Sequence, residues 1–361
     1  MPYKISLIIP IYNSEETLKN TLNSVINQTM NLNDIQVIMV NDGSTDKSKI
    51  IMEEYASKCS NFLAINNANG GGGAWKPRNI GLKHVAAEYI MFLDSDDEYK
   101  PEAFEKLYNK IQSEKVDLVI GRIVVDLPDI GYVRKSYSPF EDNLNFENEI
   151  KTTESSKLKN FIWKAFLFRF VFGKIKKSKS SEIFTNIFKN PSILTMSGSL
   201  MPKIFKRQII EDKDIKFKDF ITGEDFNFLM EYFINSSGNV LLLNNDIIYK
   251  QINRLNYDEN KSVSNNINFK LVSDELNATT HCLNTLKKIN YKYNNIIFNM
   301  HISTWFILYY LKFNSSLKEE IILFNSFKKF KKLYNTDLKG KIIVYFIFLY
   351  MKLRIIKKKL V

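Results

Sequence analysis

Two acidic side chains near position 95 are the residues best suited to chemistry. Asp94 and Asp96 flank Ser95 and follow the apolar run Tyr89–Leu93, which is typical of a buried strand. Alternate side chains of an extended segment point the same way, so both carboxylates should face one site. Clustered carboxylates repel one another unless a cation or hydrogen-bond donors neutralise them. Because Mg²⁺ and Mn²⁺ prefer oxygen ligands, we expect a divalent-metal site; an acidic turn that caps the next helix is the alternative.

The glycine run Gly70–Gly73 does not have the pattern of a known phosphate-binding loop. A dinucleotide fingerprint needs G-x-G-x-x-G after the first strand, whereas this run follows the third, and the sequence contains no G-x-x-x-x-G-K-[ST]. The run is interpreted either as a loop that approaches a ligand closely or as a plain surface loop. The three histidines and two cysteines form no metal-binding spacing and no disulfide framework.

Alternating strands and helices must position these groups. Four short apolar runs in the first 120 residues are separated by helical patterns (Ile5–Ile11, Ile35–Val40, Phe62–Ile65 and Tyr89–Leu93). Such alternation predicts an α/β fold whose mostly parallel sheet is covered on both faces. Ligands bind at the carboxyl ends of such strands, where we expect the polar segments to converge. Further on, Val240–Leu243 and Ile247–Tyr249 predict a strand and a hairpin.

Four motifs together carry a family resemblance. Ile9–Asn13, Val40–Asp46, Pro77–Gly81 and Phe92–Asp97 occur in the order and spacing of family-2 inverting glycosyltransferases of the GT-A fold, and the acidic motif Gly223–Phe226 follows. The chain is therefore similar to bacterial enzymes of cell-surface glycan synthesis. The resemblance implies a Rossmann-like GT-A catalytic domain, residues 1–265, with a nucleotide-sugar-binding half (1–120) and an acceptor side (121–265) that carries a basic insertion (150–190). A helical basic region, 266–361, completes the chain.

The resemblance implies a binding site for a nucleotide-sugar donor, usually UDP-linked. Pro10 and Tyr12 would pack against the nucleobase, Tyr12 by stacking. Asp42 would accept the imino N–H of uracil, which would favour that base over others. Asn67 would contact the donor from the glycine loop. Packing for Tyr12 and a turn role for Asp42 are the structural alternatives.

The remaining donor and metal residues follow from the same resemblance. Arg78 would contact the diphosphate or base region, Asp94 the ribose or metal, and Asp96 the Mn²⁺ or Mg²⁺ ion that bridges the diphosphate. Arg254 and Ser262 lie where the family places a loop that closes over the donor, with Lys250 as an alternative.

Glu224 and Asp225 stand before an apolar helix. The resemblance implies that Asp225 is the base that takes the proton of the acceptor hydroxyl, with Glu224 beside it. The helix dipole at this position is expected to favour the ionised carboxylate. A single displacement with one base inverts the anomeric centre, so an α-linked donor would give a β-linked product. The alternative is that both residues only cap the helix.

Charge is distributed unevenly along the chain. The net charge is +12, yet residues 1–120 carry −4, so residues 121–361 carry +16. The apolar run Ile342–Met351 lies among lysines, as in an interfacial helix. We expect contact with an anionic membrane surface; a packed terminal helix, an oligomer interface, and solvated faces of a Lys- and Asn-rich chain are the alternatives. Nucleic acid is not expected, because no nucleic-acid module is present.

The sequence thus predicts a metal-dependent inverting glycosyltransferase that transfers sugar to a glycan or lipid-linked acceptor in surface polysaccharide, teichoic acid or glycolipid synthesis. The start has no signal-peptide pattern. Ile342–Met351 has ten residues, whereas a membrane span needs about 20. We therefore expect a cytoplasmic protein that is peripheral at the inner face of the membrane. A non-catalytic sugar-nucleotide-binding scaffold and a sugar nucleotidyltransferase are the rival interpretations.

Overall fold

The computed structural model describes residues 3–68, 70, 73–127, 132–136, 182–184, 199–252, 267–287, 306, 310–311, 313–333 and 338–360. The strands in these ranges are β1 (Ile5–Ile11), β2 (Ile35–Asn41), β3 (Phe62–Asn66), β4 (Tyr89–Phe92), β5 (Glu98–Tyr99), β6 (Leu118–Leu127), β7 (Tyr132–Ser136), β8 (Glu182–Phe184), β9 (Lys203–Lys206) and β10 (Val240–Ile252). The helices are α1 (Leu18–Ile26), α2 (Ser48–Lys58), α3 (Trp75–Leu82), α4 (Ala103–Glu114), α5 (Arg207–Asp212), α6 (Glu224–Asn235), α7 (Phe269–Lys287), α8 (Leu317–Leu333) and α9 (Leu338–Leu360).

One mixed sheet organises the molecule, in the order β3-β2-β1-β4-β9-β6-β10-β5. β3, β2, β1 and β4 are parallel, as the alternation of strands and helices predicts. β9 runs antiparallel between β4 and β6, and β6 and β10 are again parallel. The polar segments that follow β1, β2, β3 and β4 therefore all leave the same edge of the sheet.

The core lies on both faces of this sheet. Every residue of β1 and of β2 is buried, which explains why their sequences are continuous apolar runs rather than alternating ones. On one side, α1 buries Leu18, Leu22 and Val25 at helical spacing. Burial of the central strands on both faces fixes their register, and hence where each strand ends.

The structure differs from the sequence-based prediction at β10. The two segments predicted as a strand and a hairpin belong to one strand, Val240–Ile252. Its pairing with β6 shifts register between Leu242 and Ile247. A local bulge thus takes up the polar residues that interrupt the apolar pattern, and the chain continues in the same direction.

The C-terminal helices pack in sequence onto the sheet domain. α7 packs against α6, α8 against α7, and α9 against α8. Most of the basic insertion predicted at 150–190 lies outside the described residues; only β8 within it is described. In the described part of the chain, we find no helix whose length and apolar character would allow it to cross a membrane.

Candidate active site

Loops from three neighbouring strands meet at the carboxyl edge of the sheet. The Asn13 backbone N–H donates to Ser44 Oγ (3.0 Å), and Asn13 Oδ1 accepts from the backbone N–H of Thr45 (2.8 Å). The Ser14 and Ser95 hydroxyls lie 2.7 Å apart. The segments after β1, β2 and β4 are thus brought together as the sequence predicts.

Asp42 and Asn67 form one polar unit on this edge. Asp42 is 2% exposed, and Asn67 Nδ2 donates to its Oδ1 at 2.6 Å. Gly70 packs directly on the Asp42 backbone, since a Cβ at position 70 would lie 1.9 Å from the Asp42 carbonyl oxygen. The first glycine of the run is therefore required by close packing against the Asp42 turn.

Pro10 and Tyr12 have different surroundings. Pro10 is buried within β1, opposite Val40 of β2. Tyr12 lies just beyond the end of β1, with 52% of its surface exposed. The ring that the resemblance assigns to nucleobase stacking is thus available at the sheet edge, whereas Pro10 shapes the strand that leads to it.

Arg78 is the electrostatic centre of the site. Its side chain is 4% exposed and binds three carboxylates: Nη1 donates to Asp225 Oδ1 (2.6 Å) and to Glu224 Oε1 (3.1 Å), and Nη2 donates to Asp94 Oδ1 (3.0 Å). Burial alone would lower the pKa of Arg78, but the carboxylates, Asp225 foremost, outweigh it and raise the pKa. One guanidinium thus joins the end of β4 to the start of α6.

Glu224 and Asp225 owe their position to the loop before α6 and to α7. Gly223, the N-cap of α6, adopts φ +80°, and a Cβ there would lie 2.8 Å from Ala278. Asp274 Oδ2 accepts from the Ile221 backbone N–H (2.9 Å), and Glu275 Oε2 accepts from Thr222 Oγ1 (3.1 Å). Sequence reasoning missed these two α7 carboxylates, because no motif marks them and they lie about 50 residues away.

A buried lysine lies behind Asp225. Lys203 is 1% exposed, and its Nζ donates to the Ser199 carbonyl oxygen. Burial lowers the pKa of Lys203 to about 7, although the negative charge of Asp225 opposes this shift. The neighbouring Leu200 backbone N–H donates to Asp225 and, with Lys203, favours its ionised form.

Burial raises the pKa of both carboxyl groups at the start of α6. It raises the pKa of Glu224 to about 8, with Asp225 adding to the shift and Arg78 opposing it. Burial likewise raises the pKa of Asp225, where Arg78 opposes and Asp94 adds. At both positions burial thus opposes the helix dipole, which was expected to favour the ionised carboxylate. Arg78 Nη1 lies closer to Asp225 Oδ1 (2.6 Å) than to Glu224 Oε1 (3.1 Å). We therefore assign the proton that the two carboxyl groups hold to Glu224, and the negative charge to Asp225.

The raised pKa of Glu224 predicts a pH-dependent stability. Its ordinary value is 4.5, so between about pH 4.5 and 8 the folded protein holds a proton that the unfolded chain has lost. Raising the pH therefore favours unfolding until about pH 8. Glu224→Gln removes this titration. We expect its melting temperature to gain several degrees on the wild type between pH 5 and pH 8, where each kcal/mol corresponds to about 2–4 °C. A pH-independent difference between the two melting curves would contradict the assignment.

The acidic tripeptide after β4 forms a turn, not the extended segment expected from its spacing. The Asp97 backbone N–H donates to the Asp94 carbonyl oxygen (3.2 Å). Asp94 is half-buried, Asp96 is exposed, and Asp97 is buried, accepting from Tyr249 Oη (2.7 Å) and from the Ile252 backbone N–H (2.8 Å). Burial raises the pKa of Asp97, with Asp96 and Asp94 adding to the shift. The turn thus concentrates negative charge.

Three residues were predicted to contact the donor from the loop that closes over it, and the structure describes one of them. Arg254 and Ser262 lie outside the described residues. Lys250, the alternative, is in β10 and lies 3.7 Å from Glu98 Oε2. Its ammonium group thus neutralises a carboxylate near the acidic turn.

Removal of the central guanidinium is expected to be costly. Arg78→Met keeps much of the side-chain volume but leaves Asp94, Glu224 and Asp225 without their shared cation. Breaking a buried pair by removing one partner typically costs about 3–5 kcal/mol. Lys58→Met is the matched control, because Lys58 and Glu54 form an exposed pair whose charges are screened by water. Chemical denaturation at pH 7 measures both; equal losses in the two variants would contradict a central role for Arg78.

Several known proteins are similar to this chain in sequence and in fold. Residues 6–175 match the model of the family described as Glycosyl transferase family 2. Poly(ribitol-phosphate) beta-N-acetylglucosaminyltransferase TarP of Staphylococcus aureus is 31% identical over 236 residues, which cover 64% of this chain and 58% of TarP. Poly(ribitol-phosphate) beta-glucosyltransferase of Bacillus spizizenii is 40% identical over 120 residues, 33% of this chain and 19% of that enzyme.

The fold comparison extends over most of the chain. The crystal structure of S. aureus TarS 1–349 in complex with UDP-GlcNAc superposes with a TM-score of 0.64 at 21% identity, covering 92% of this chain and 82% of that one. The chain spans less than two thirds of the length of these curated relatives. Residues 6–175 are thus similar to glycosyl transferase family 2, and the fold of the chain is similar to that of TarS 1–349.

Proposed function

We propose that the protein transfers a sugar from a nucleotide-sugar, specifically a UDP-sugar, to a hydroxyl group of a glycan or lipid-linked acceptor, with inversion of the anomeric centre. The single observation that carries this proposal is the Arg78 cluster. Arg78 joins Asp94, at the strand end where a donor would bind, to Asp225, which the family resemblance assigns as the base. Donor and base sites thus lie within the width of one guanidinium group.

The donor end of the site is suited to a pyrimidine nucleotide. Asp42 is buried and its carboxylate is oriented by Asn67, at the sheet edge where the imino N–H of uracil would bind. Tyr12 supplies an exposed ring for stacking. Arg78 Nε is buried and has no hydrogen-bond partner among the described residues, which supports a polar ligand atom as its partner.

Asp94 and Asp96 fit a divalent cation. Both carboxylates reach the surface and lie on one tight turn at the carboxyl edge of the sheet. Within the described ranges no group of three or more His, Cys, Asp or Glu residues could hold a metal by itself. Mg²⁺ and Mn²⁺ commonly bind through one or two carboxylates and complete their shell with substrate phosphates. When bound, such an ion would neutralise the charge that develops on the leaving diphosphate.

Asp225 is proposed as the general base. It carries the negative charge of the coupled pair, and the Leu200 N–H and the Arg78 guanidinium fix the direction of its carboxylate. It would accept the proton of the acceptor hydroxyl as that oxygen attacks the anomeric carbon from the face opposite the diphosphate. Glu224, which holds its proton near neutral pH, would keep the neighbouring position neutral.

The acceptor and the location are proposed from wider observations. The names of the relatives given above include transferases that act on poly(ribitol phosphate), which favours teichoic acid or a related surface glycan as the acceptor. The net charge of +12 supports a cytoplasmic position at the anionic inner face of the cell membrane. Arg254 and Ser262 stay predicted donor contacts.

The rival interpretations make different demands on the site. A sugar nucleotidyltransferase would need a basic, glycine-rich loop after β1, whereas Tyr12 is followed by Asn, Ser and Glu. A non-catalytic scaffold would not require a carboxylate that is fixed in direction by an arginine and a backbone N–H, as Asp225 is. No observation favours either rival over sugar transfer.

A screen of nucleotide-sugars tests the proposed function. The purified chain is incubated with UDP-, GDP-, CDP- and dTDP-linked sugars in Mn²⁺ or Mg²⁺, and release of the nucleoside diphosphate is measured. We expect slow hydrolysis of at least one UDP-sugar, because water can replace the acceptor. Hydrolysis of only a non-uridine donor would move the specificity away from Asp42. No hydrolysis and no binding of any donor would contradict the proposal.

A further inference from the structure

Helix α9 has two apolar faces, and in the part of the chain that the structure describes only one of them is buried. Val344, Ile347 and Met351 are buried against the rest of the molecule. Six large apolar side chains of the same helix are 39–62% exposed. They are Tyr345, Phe346, Leu349, Tyr350, Leu353 and Ile356, and at 100° per residue they cover about 140° of the helix circumference. We call them the outer face of α9.

Buried polar contacts fix the rotation of the helix. Arg354 Nε lies 2.7 Å from Oε1 of Glu320, which is 0% exposed. The Nη2 of Arg354 donates to the Phe313 carbonyl oxygen (2.9 Å), and Lys358 Nζ donates to the Ser315 carbonyl oxygen. Arg354 and Lys358 therefore hold α9 against the rest of the protein and do not contribute to the positive charge of the surface. Because these contacts hold α9 in one rotation, its outer face points away from the residues against which the helix packs.

The positive charges around the outer face favour an anionic partner. Lys352, Lys357 and Lys359 of α9 are exposed, and so are four lysines of the adjacent helix α8 (Lys328, Lys329, Lys331 and Lys332). No acidic residue lies in α9. An apolar face bordered by lysines, with tyrosine and phenylalanine among its residues, has the composition of a helix that lies in the interface of an anionic bilayer. A second copy of this chain would bring a second set of like charges.

We propose that the outer face of α9 is the surface through which the protein binds an anionic lipid bilayer. The helix would lie parallel to the membrane plane, with its apolar side chains among the acyl-chain boundary and its lysines at the headgroups. This assigns the proposed membrane attachment to one helix face. It is argued separately from sugar transfer, because the contacts of α9 described here involve α8 and residues 310–315, whereas Arg78 binds Asp94, Glu224 and Asp225.

The structure also shows which experiment is suitable. Truncation after Asn325, a natural test of a detachable tail, would remove Phe327 and Phe330, which are 0% exposed, and the Arg354 partner of buried Glu320. The truncated protein would expose core and be difficult to interpret. Point substitutions on the outer face leave these contacts in place.

Vesicle flotation of the full chain tests the proposal. With phosphatidylcholine vesicles containing about 30% phosphatidylglycerol, we expect binding that Phe346→Ser with Leu353→Ser lowers at least about tenfold. Ile50→Ser, at an equally exposed apolar residue of α2, is the matched control and should bind as the wild type does. Lys357→Gln with Lys359→Gln should weaken binding about 25-fold, at about fivefold per cation.

Three further measurements make the result decisive. Melting temperatures of the outer-face variants should match the wild type, since both side chains are more than half exposed. Donor hydrolysis in the absence of vesicles should also be unchanged, so that loss of flotation is distinguishable from loss of catalysis. Absence of flotation by the wild type, or flotation unaffected by the paired substitutions, would overturn the proposal. Sedimentation showing a self-associated form that only the outer-face variant loses, without lipid binding, would instead make the face an interface between copies.

Discussion

Asp225→Asn is expected to lower sugar transfer about 10²–10⁴-fold, the usual contribution of a positioned general base. The amide keeps the size of the carboxylate, and its one oxygen can still accept from Arg78. It cannot take a proton from the acceptor hydroxyl. The loss should appear in kcat, while the dissociation constant of the donor, measured by calorimetry in the absence of acceptor, stays close to that of the wild type.

The coupling between the two carboxyl groups supplies the control. Asp225 raises the pKa of Glu224, so its replacement by Asn should let Glu224 ionise more easily. Glu224→Gln alone should retain most of the activity. If the double variant loses the residual activity of Asp225→Asn, Glu224 serves as a substitute base. Near-normal turnover by Asp225→Asn would contradict the assignment of the base, and equal loss in both single variants would make the pair, rather than Asp225, the functional unit.

Asp96→Ala, or removal of divalent cations with a chelator, is expected to abolish transfer. Asp96 is the exposed carboxylate of the turn after β4. Without a cation at this turn, the charge on the leaving diphosphate would face Asp94 and Asp96 directly, which disfavours both binding and departure. Added Mn²⁺ or Mg²⁺ should restore the chelated wild type but not Asp96→Ala.

A control for charge alone accompanies this experiment. Asp34→Ala removes a half-exposed carboxylate, paired with Lys4, from the 3₁₀ helix Leu32–Asp34 that precedes β2. It changes the net charge as Asp96→Ala does and should leave transfer unchanged. Donor binding followed by calorimetry, with and without metal, gives a readout that does not depend on turnover. A wild-type rate of sugar transfer in excess chelator would contradict the metal-assisted mechanism.

The N-terminal half of the fold could be predicted because its signals are local. Continuous apolar runs such as Ile5–Ile11 can be buried only in the middle of a covered sheet, and each run ends in a polar segment. Parallel pairing of β1 with β2 and β4 then places those polar segments together. Asp42 and Asp94 accordingly lie on the predicted edge of the sheet.

Local patterns do not reveal the contacts that decide the structure between strands. The Asn13 side chain accepts from the Thr45 N–H, and α1 begins only at Leu18. The spacing of Asp94 and Asp96 indicates an extended segment, but a backbone hydrogen bond closes a turn there. At Asn13 the partner belongs to the loop of a neighbouring strand, which periodicity cannot reveal.

The electrostatics of the site needed the fold. Sequence motifs identified Arg78 and Asp225 separately, but 147 positions separate them, and nothing in either motif states that they form an ion pair. The same holds for Asp274 and Glu275, which place α7 in the support of the site although the sequence assigns that helix to a separate region. Burial of the pair reverses the pKa direction that the helix dipole alone predicts.

Time-resolved proton NMR of donor hydrolysis tests the central claim most directly. The chain is mixed with an α-linked UDP-sugar identified in the screen, in metal and without acceptor, and the anomeric signals of the released sugar are followed before mutarotation equilibrates them. Single displacement by a water molecule activated at Asp225 predicts that the β-anomer appears first together with UDP, and that Asp225→Asn releases it far more slowly. Initial release of the α-anomer, or release at the same rate from Asp225→Asn, would contradict the account.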